Sequence, residues 1–151
     1  MSRSLSEPRS RRRLIRSLSR LHLGLQRLSG GRLGGRVAGM PVLLLTTTGR
    51  RSGKPRTTPL TFFRSGSELV IVASNGGADR EPDWSLNLRQ RPVARVQIGA
   101  EQLAVQAREA SADERSRLWP TITGTYAGYA RYERRTTRTI PLFILTPIRE
   151  A

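Results

Sequence analysis

Val42-Leu43-Leu44-Leu45-Thr46-Thr47-Thr48-Gly49-Arg50-Arg51-Ser52-Gly53-Lys54-Pro55-Arg56-Thr57-Thr58-Pro59-Leu60-Thr61-Phe62-Phe63 reads as two β-strands joined by a cationic turn. Val42 to Thr48 and Arg56 to Phe63 carry the β-branched, aliphatic and aromatic side chains that suit a pleated surface. The Gly, Ser and Pro residues between them break both runs. Such a pair, met early in the chain, predicts a mainly β domain.

The downstream sequence extends that prediction. Glu68 to Ser74 is a third strand, with Leu69, Val70, Ile71 and Val72 in a nearly continuous apolar run. Val93 to Ile98 and Gln102 to Arg108 form a hairpin around Gly99-Ala100, with Val93, Arg95 and Gln97 alternating against Ala94, Val96 and Ile98. Ile140 to Thr146 is the sixth strand. Helices are expected over about Asp83 to Arg89, from Ser111 onward, and for a turn or two over Tyr126 to Arg134. Glu114 stands three residues after Ser111, the spacing of a capping box. Pro120 should kink or end that helix after Leu118 and Trp119. Strands joined mostly by short turns favour an antiparallel sheet over a doubly wound one. Six strands of this length would close as a small barrel with peripheral helices.

Upstream of the quoted stretch the pattern changes. Residues 1–13 are rich in Ser, Arg and Pro and are expected to be disordered. Leu14, Leu18, Leu21, Leu25 and Leu28 fall on one helical stripe, with Arg13, Arg16, Arg20 and Arg27 at other positions. Ser29-Gly30-Gly31 ends this basic amphipathic helix and Gly34-Gly35 extends a hinge. Two readings stand: a helix packed on the domain or on a second copy, or an anchor that lays residues 10–28 on an anionic membrane surface. The chain divides into a basic segment, 1–36, and a β domain, 37–151. The expected location is the cytoplasm, with the inner face of the cell membrane as the peripheral alternative.

Composition removes many functions. With no cysteine among 151 residues, disulfides, thiolate metal sites, iron–sulfur clusters and cysteine nucleophiles are excluded. His22 is the one histidine, so a multi-histidine zinc site is excluded and a serine–histidine pair would have to use a residue on the basic helix. The net charge is +16: ten arginines against Glu7 in residues 1–36, and seventeen cations against ten acids in the rest. This favours nucleic acid, anionic lipid, or a phosphorylated or carboxylated ligand as partner. Aromatic residues are not interleaved with the basic run, and no helix-turn-helix or zinc module is present, so no specific nucleic-acid complex is expected.

Four places carry candidate chemistry. In the turn, four of the seven residues from Arg50 to Arg56 are cationic, including Lys54, where a chain with 27 cations in 151 residues would supply one or two. Gly49 and Gly53 let the backbone approach a ligand, and arginine contacts phosphate or carboxylate bidentately, so the turn is a candidate anion cradle. A solvated hairpin turn is the other reading. It is no Walker loop, since Pro55 stands where a magnesium-binding Ser or Thr would be needed. Ala73-Ser74-Asn75-Gly76-Gly77 follows the most apolar strand and offers hydroxyl, amide and bare backbone to a planar heterocycle, or forms an ordinary turn. Trp84 and Leu88 lie one helical turn apart and read as a core face, with Asn87 one position off it. Tyr126, Tyr129 and Tyr132, the only tyrosines, either pack in the core or line a substrate mouth.

Taken together these motifs resemble the deazaflavin-dependent nitroreductase family. The resemblance rests on Leu45 to Leu60, on Val72-Ala73-Ser74-Asn75-Gly76-Gly77, on Trp84 with Leu86-Asn87-Leu88, and on Tyr126, Tyr129 and Tyr132 followed by Arg138, Ile140 and Pro141. It runs from about residue 40 to the C-terminus and leaves the basic helix outside. It implies a split β-barrel related to flavin-mononucleotide-binding barrels, and binding of coenzyme F420, an 8-hydroxy-5-deazaflavin with a phosphodiester and an anionic lactyl-oligoglutamate tail. By position, Arg50, Arg51 and Ser52 would contact that charged tail, with Lys54 in the same cradle. Arg56, Thr57, Thr58, Pro59, Leu60 and Thr61 would run along the coenzyme. Val72, Ala73, Ser74 and Asn75 would hold the ring edge, and Asp83, Trp84, Ser85, Leu86 and Asn87 would close another side. Tyr129, with Tyr126, Tyr132 and Ser74, would stand by the acceptor. Ser85 replaces a tyrosine common in relatives, which would widen the pocket, and Gly124 and Gly128 would loosen the tyrosine wall.

The implied activity is hydride transfer from reduced F420 to a quinone, nitroaromatic or other conjugated acceptor, with the protein supplying binding, orientation and electrostatics. A Tyr129 or Ser74 hydroxyl would stabilise charge on the acceptor and supply a proton. A barrel holding flavin mononucleotide or haem, and a basic nucleic-acid-binding protein, are the alternative readings.

Overall fold

A computed structural model describes residues 36–37 and 39–149. The N-terminal expectations, the stretch 1–13, the helix 14–28 and the hinge at Gly34-Gly35, lie outside the described residues.

Eight strands and three helices alternate along this part of the chain. The strands are β1 (Arg36–Val37), β2 (Met40–Thr48), β3 (Pro55–Thr61), β4 (Phe63–Ser65), β5 (Glu68–Val72), β6 (Val93–Ile98), β7 (Glu101–Glu109) and β8 (Leu142–Ile148). The helices are α1 (Asp83–Gln90), α2 (Ala112–Thr125) and α3 (Gly128–Arg135), and a single 3-10 turn covers Asn75–Gly77. All strand pairs are antiparallel, in the order β1-β2-β6-β7-β8-β5-β4 with β3 also on β2.

Each of the six expected strands is present, and two corrections follow. The run Arg56 to Phe63 is two strands, because Phe62 leaves the ladder and inserts its side chain, 1% exposed, into the core. The two-residue β1 is the other addition. The barrel is also not closed by hydrogen bonds: among the described residues no ladder joins β3 to β5. Proline supplies a reason. The Phe62 amide donates to the Pro41 carbonyl, on the β2 side. Amides alternate along a strand, so those of Pro55 and Pro59, the two residues with no N–H, fall on the outer edge of β3. That edge cannot form a regular ladder, and the barrel stays split there.

The core has two layers. Leu69 and Ile71 of β5 and Phe143 and Leu145 of β8 point into the barrel with Leu43, Leu45, Phe62, Val96 and Val105. Val70, Val72, Leu142 and Ile144 point the other way, under Ile122 and Tyr129 from the helices. A strand covered on both faces has no polar side, which accounts for the continuous apolar run in β5.

The helices depart from expectation at their ends. Ser111 and Glu114 form both halves of the capping box. Pro120 does not end α2, which runs on to Thr125. The proline removes one helical hydrogen bond, while Leu118, Trp119 and Ile122, on either side of it, pack on the same core layer. The helix stops instead at Tyr126, whose backbone is extended (φ −139°, ψ 103°). The three tyrosines therefore span a corner between two helices rather than one helical face.

Candidate functional site

A groove runs along the open edge of β3. Its wider part encloses about 700 Å³ between the β2–β3 turn and α1. Its narrower part encloses about 360 Å³ between β3, the end of β5 and α3. Thr58 and Trp84 line both, so the two adjoin.

The wide part is cationic. Arg50, Arg51, Arg56 and Arg80 line it against one carboxylate, Asp83. The turn is built by Gly49 N–H to the Lys54 carbonyl and Gly53 N–H to the Gly49 carbonyl, both 2.8 Å. A Cβ on Gly49 would stand 2.6 Å from Ser52 Oγ, and that hydroxyl in turn accepts from the Lys54 amide at 3.2 Å. Asn87, 3% exposed, fastens the turn to α1. Its Oδ1 accepts from both the backbone N–H and Nη1 of Arg50, each at 3.1 Å, and its Nδ2 donates to Thr47 Oγ1 at 3.1 Å. Arg50 Nη2 also meets Asp83 Oδ1 at 3.3 Å. Arg50 is thus held, while Arg51 and Arg56 remain exposed at the rim. Lys54 is exposed and outside the lining. Thr57 lines the wall with its hydroxyl 2.8 Å from that of Thr46.

The narrow part has no formally charged side chain in its lining. Thr58, Pro59, Leu60 and Thr61 form one wall, and Val72, Ser74, Asn75 and Gly76 the other. Tyr129, 6% exposed, reaches it from α3. Its hydroxyl lies 2.6 Å from Thr61 Oγ1, so Thr61 holds the phenol as well as lining the wall. Burial raises the Tyr129 phenol above its ordinary 10.0. Tyr126 and Tyr132 pack edge-on against the Tyr129 ring, with centroids 5.2 and 6.0 Å away, and fix its plane rather than lining the groove. A hydrogen bond with Tyr126 and burial raise the Tyr132 phenol as well.

Several expected site residues lie elsewhere. Ser85 is fully buried and its hydroxyl donates to the Pro82 carbonyl at 2.8 Å, so it fastens the start of α1 and does not widen the groove. Ala73 is in the core and Leu86 is half-buried outside the lining. Asn75 lines the groove, yet its side-chain amide donates to the Arg80 carbonyl at 2.9 Å. Gly128 is not a loosening element: a Cβ there would stand 2.4 Å from the Tyr126 ring, which packs on it. Conversely, Arg80 and Pro82 line the groove without having been singled out from the sequence. Their positions depend on the turn after β5, which no periodic pattern describes.

The groove suits a ligand with a polyanionic end and a flat uncharged end, which is the chemistry of a deazaflavin coenzyme. Comparison with known proteins agrees. The F420H(2)-dependent quinone reductase family profile matches residues 18–147, reaching back into the basic segment that the sequence resemblance had left out. The F420H(2)-dependent quinone reductase Rv1261c of Mycobacterium tuberculosis is 40% identical over 133 residues, 85% of this chain and 89% of that protein. The solved structure of an F420-H2 dependent reductase, FDR-A, is 38% identical with a TM-score of 0.63, covering 69% of this chain and 92% of its own. The haem storage protein HutZ of Vibrio cholerae, 12% identical with a TM-score of 0.54 over 84% of this chain and 89% of its own, shares the split-barrel fold alone. On profile, identity and coverage together, the chain belongs to the F420H(2)-dependent quinone reductase family.

Proposed function

We propose that this chain binds reduced F420 in the groove along β3 and reduces a quinone or similarly conjugated acceptor. The observation that carries the reading is an arginine-lined cleft adjoining an uncharged slot that is lined by a buried tyrosine. When bound, the coenzyme supplies a hydride. Arg51 and Arg56 attract its charged tail, and Arg50, held by Asn87 and Asp83, keeps the turn in place beside it. Thr58 to Thr61 on one side and Val72, Ser74 and Asn75 on the other close on the ring portion and exclude water. Tyr129 keeps its proton at Oη across the neutral range, with Thr61 fixing the hydroxyl, and donates toward an acceptor oxygen as that oxygen gains charge. Ser74 is the second hydroxyl lining the same slot.

Side-by-side titration of the full-length protein with F420 and flavin mononucleotide, followed by menadione reduction with reduced F420, tests this. Selective F420 binding and turnover are expected. Tighter binding of the flavin would overturn it.

The segment 1–36 belongs to the same proposal as a membrane-contacting unit appended to a cytoplasmic catalytic domain, 37–151. Its leucine stripe and arginines support that reading, and quinones partition into lipid. No helix among the described residues is long and apolar enough to cross a membrane. Pelleting with anionic but not zwitterionic liposomes is the expected result.

A further inference from the structure

We infer that Arg138 is a positioning residue that sets the Ser74–Gly76 wall of the groove, acting from behind it. This rests on the cofactor reading above. Arg138 lines neither part of the groove. Its guanidinium reaches three carbonyls of the turn that does: Nη2 donates to Ser74 O at 2.9 Å and Ala73 O at 3.2 Å, and Nε to Ala78 O at 2.9 Å.

That turn needs an external brace. Asn75, Gly76 and Gly77 all have left-handed backbone, with φ of 45°, 64° and 83°. Asn75 is the only non-glycine among the described residues with positive φ, a conformation that disfavours a side chain. Two internal bonds, Gly77 N–H to Ser74 O and Ala78 N–H to Asn75 O, hold it from inside. A trans, planar peptide points its N–H opposite its carbonyl. With the Ala73 and Ser74 carbonyls drawn to Arg138, the Ser74 and Asn75 amides face the other side of the turn. Arg138 thus decides which backbone groups the wall presents to a flat ring. Its Nη1 is buried with no hydrogen-bond partner among the described residues, and an unmet buried donor is costly. Lysine cannot replace it, because one ammonium cannot span three separated carbonyls as a planar fork does.

Full-length Arg138→Lys and Arg138→Ala variants test this by two readouts: amide hydrogen exchange without cofactor, and equilibrium binding of oxidised F420. Exchange should quicken at residues 74–78 while β5 and β8 keep wild-type protection. F420 affinity should fall at least tenfold, and methylguanidinium should restore part of it to the alanine variant. Wild-type exchange at 74–78, or wild-type affinity in a folded variant, would overturn the inference. So would loss of protection spread through β5 and β8 in the lysine variant, which marks a purely structural role. Should the alanine variant fail to fold, the lysine variant carries both measurements. If the wild-type protein binds no F420, the cofactor reading fails, and exchange at 74–78 still decides whether Arg138 braces the turn.

Discussion

Tyr129 and Asn87 show how single buried polar groups organise the groove. Tyr129 is buried against two other tyrosines and one threonine, and burial dominates its raised pKa. A group whose folded pKa lies above the unfolded value contributes stability that is present below the ordinary 10.0 and lost as pH rises through the folded value. The same shift keeps the phenol a proton donor over the whole neutral range. Tyr129→Phe should lower kcat by about 10²-fold, with F420 affinity little changed. It should also remove any alkaline limb of the pH–rate profile above pH 10. Stopped-flow turnover against pH reads both, and unchanged kcat would remove the assigned role. Asn87 has all its partners inside the protein: the Arg50 amide, the Arg50 guanidinium and the Thr47 hydroxyl. Asn87→Ala strands each of them and should cost about 1–3 kcal/mol in denaturant unfolding. It should also weaken F420 binding, because the cationic turn loses its anchor.

At the scale of elements, the turn after β5 and helix α3 form one unit. Gly77 sits between them with φ 83°, and a Cβ there would stand 2.8 Å from the Tyr132 carbonyl and 3.0 Å from its Cα. Those are backbone atoms and cannot swing aside. Gly77→Ala therefore combines a left-handed penalty of about 1 kcal/mol with a clash that pushes the Ser74 wall away from the tyrosine helix. The expected outcome is a lower Tm and a larger loss of F420 affinity than of residual secondary structure, read by calorimetry and circular dichroism. Alanine at Gly99, whose φ is 59° and whose added Cβ would meet nothing within 4 Å, lies away from the groove, carries only the backbone penalty and serves as the control.

At the scale of the whole molecule, the net charge of +16 and the four arginines of the wide cleft make binding of a polyanionic coenzyme partly electrostatic. Affinity for F420 should fall as salt rises, since exposed charges are screened within about 8 Å at physiological ionic strength. The slot with no charged lining, which binds by contact, should be far less sensitive. A truncated deazaflavin without the charged tail should therefore bind more weakly but with little salt dependence, measured by fluorescence titration. Equal salt slopes for the two ligands would argue against the division of the groove into charged and uncharged parts.

The division between what was legible in the chain and what was not follows the range of the forces involved. Strand alternation, the Ser111–Glu114 cap, the cationic turn and the tyrosine spacing are local, set by residues within a few positions of one another, and they sufficed to predict an antiparallel β domain with an anion-binding turn. Periodicity said nothing of which side chains would meet across the fold. Asn87 could be read only as a residue off the core face, and its place under Arg50 depends on α1 docking against β2. Ser85 looked like groove wall until the first turn of α1 turned it inward. The two-sided burial of β5 and β8 and the open edge at Pro55 and Pro59 likewise arise from the order in which distant strands pair. Local chemistry is written residue by residue, whereas convergence on one groove requires contacts such as Thr61 with Tyr129, 68 positions apart, which only the packed chain brings together.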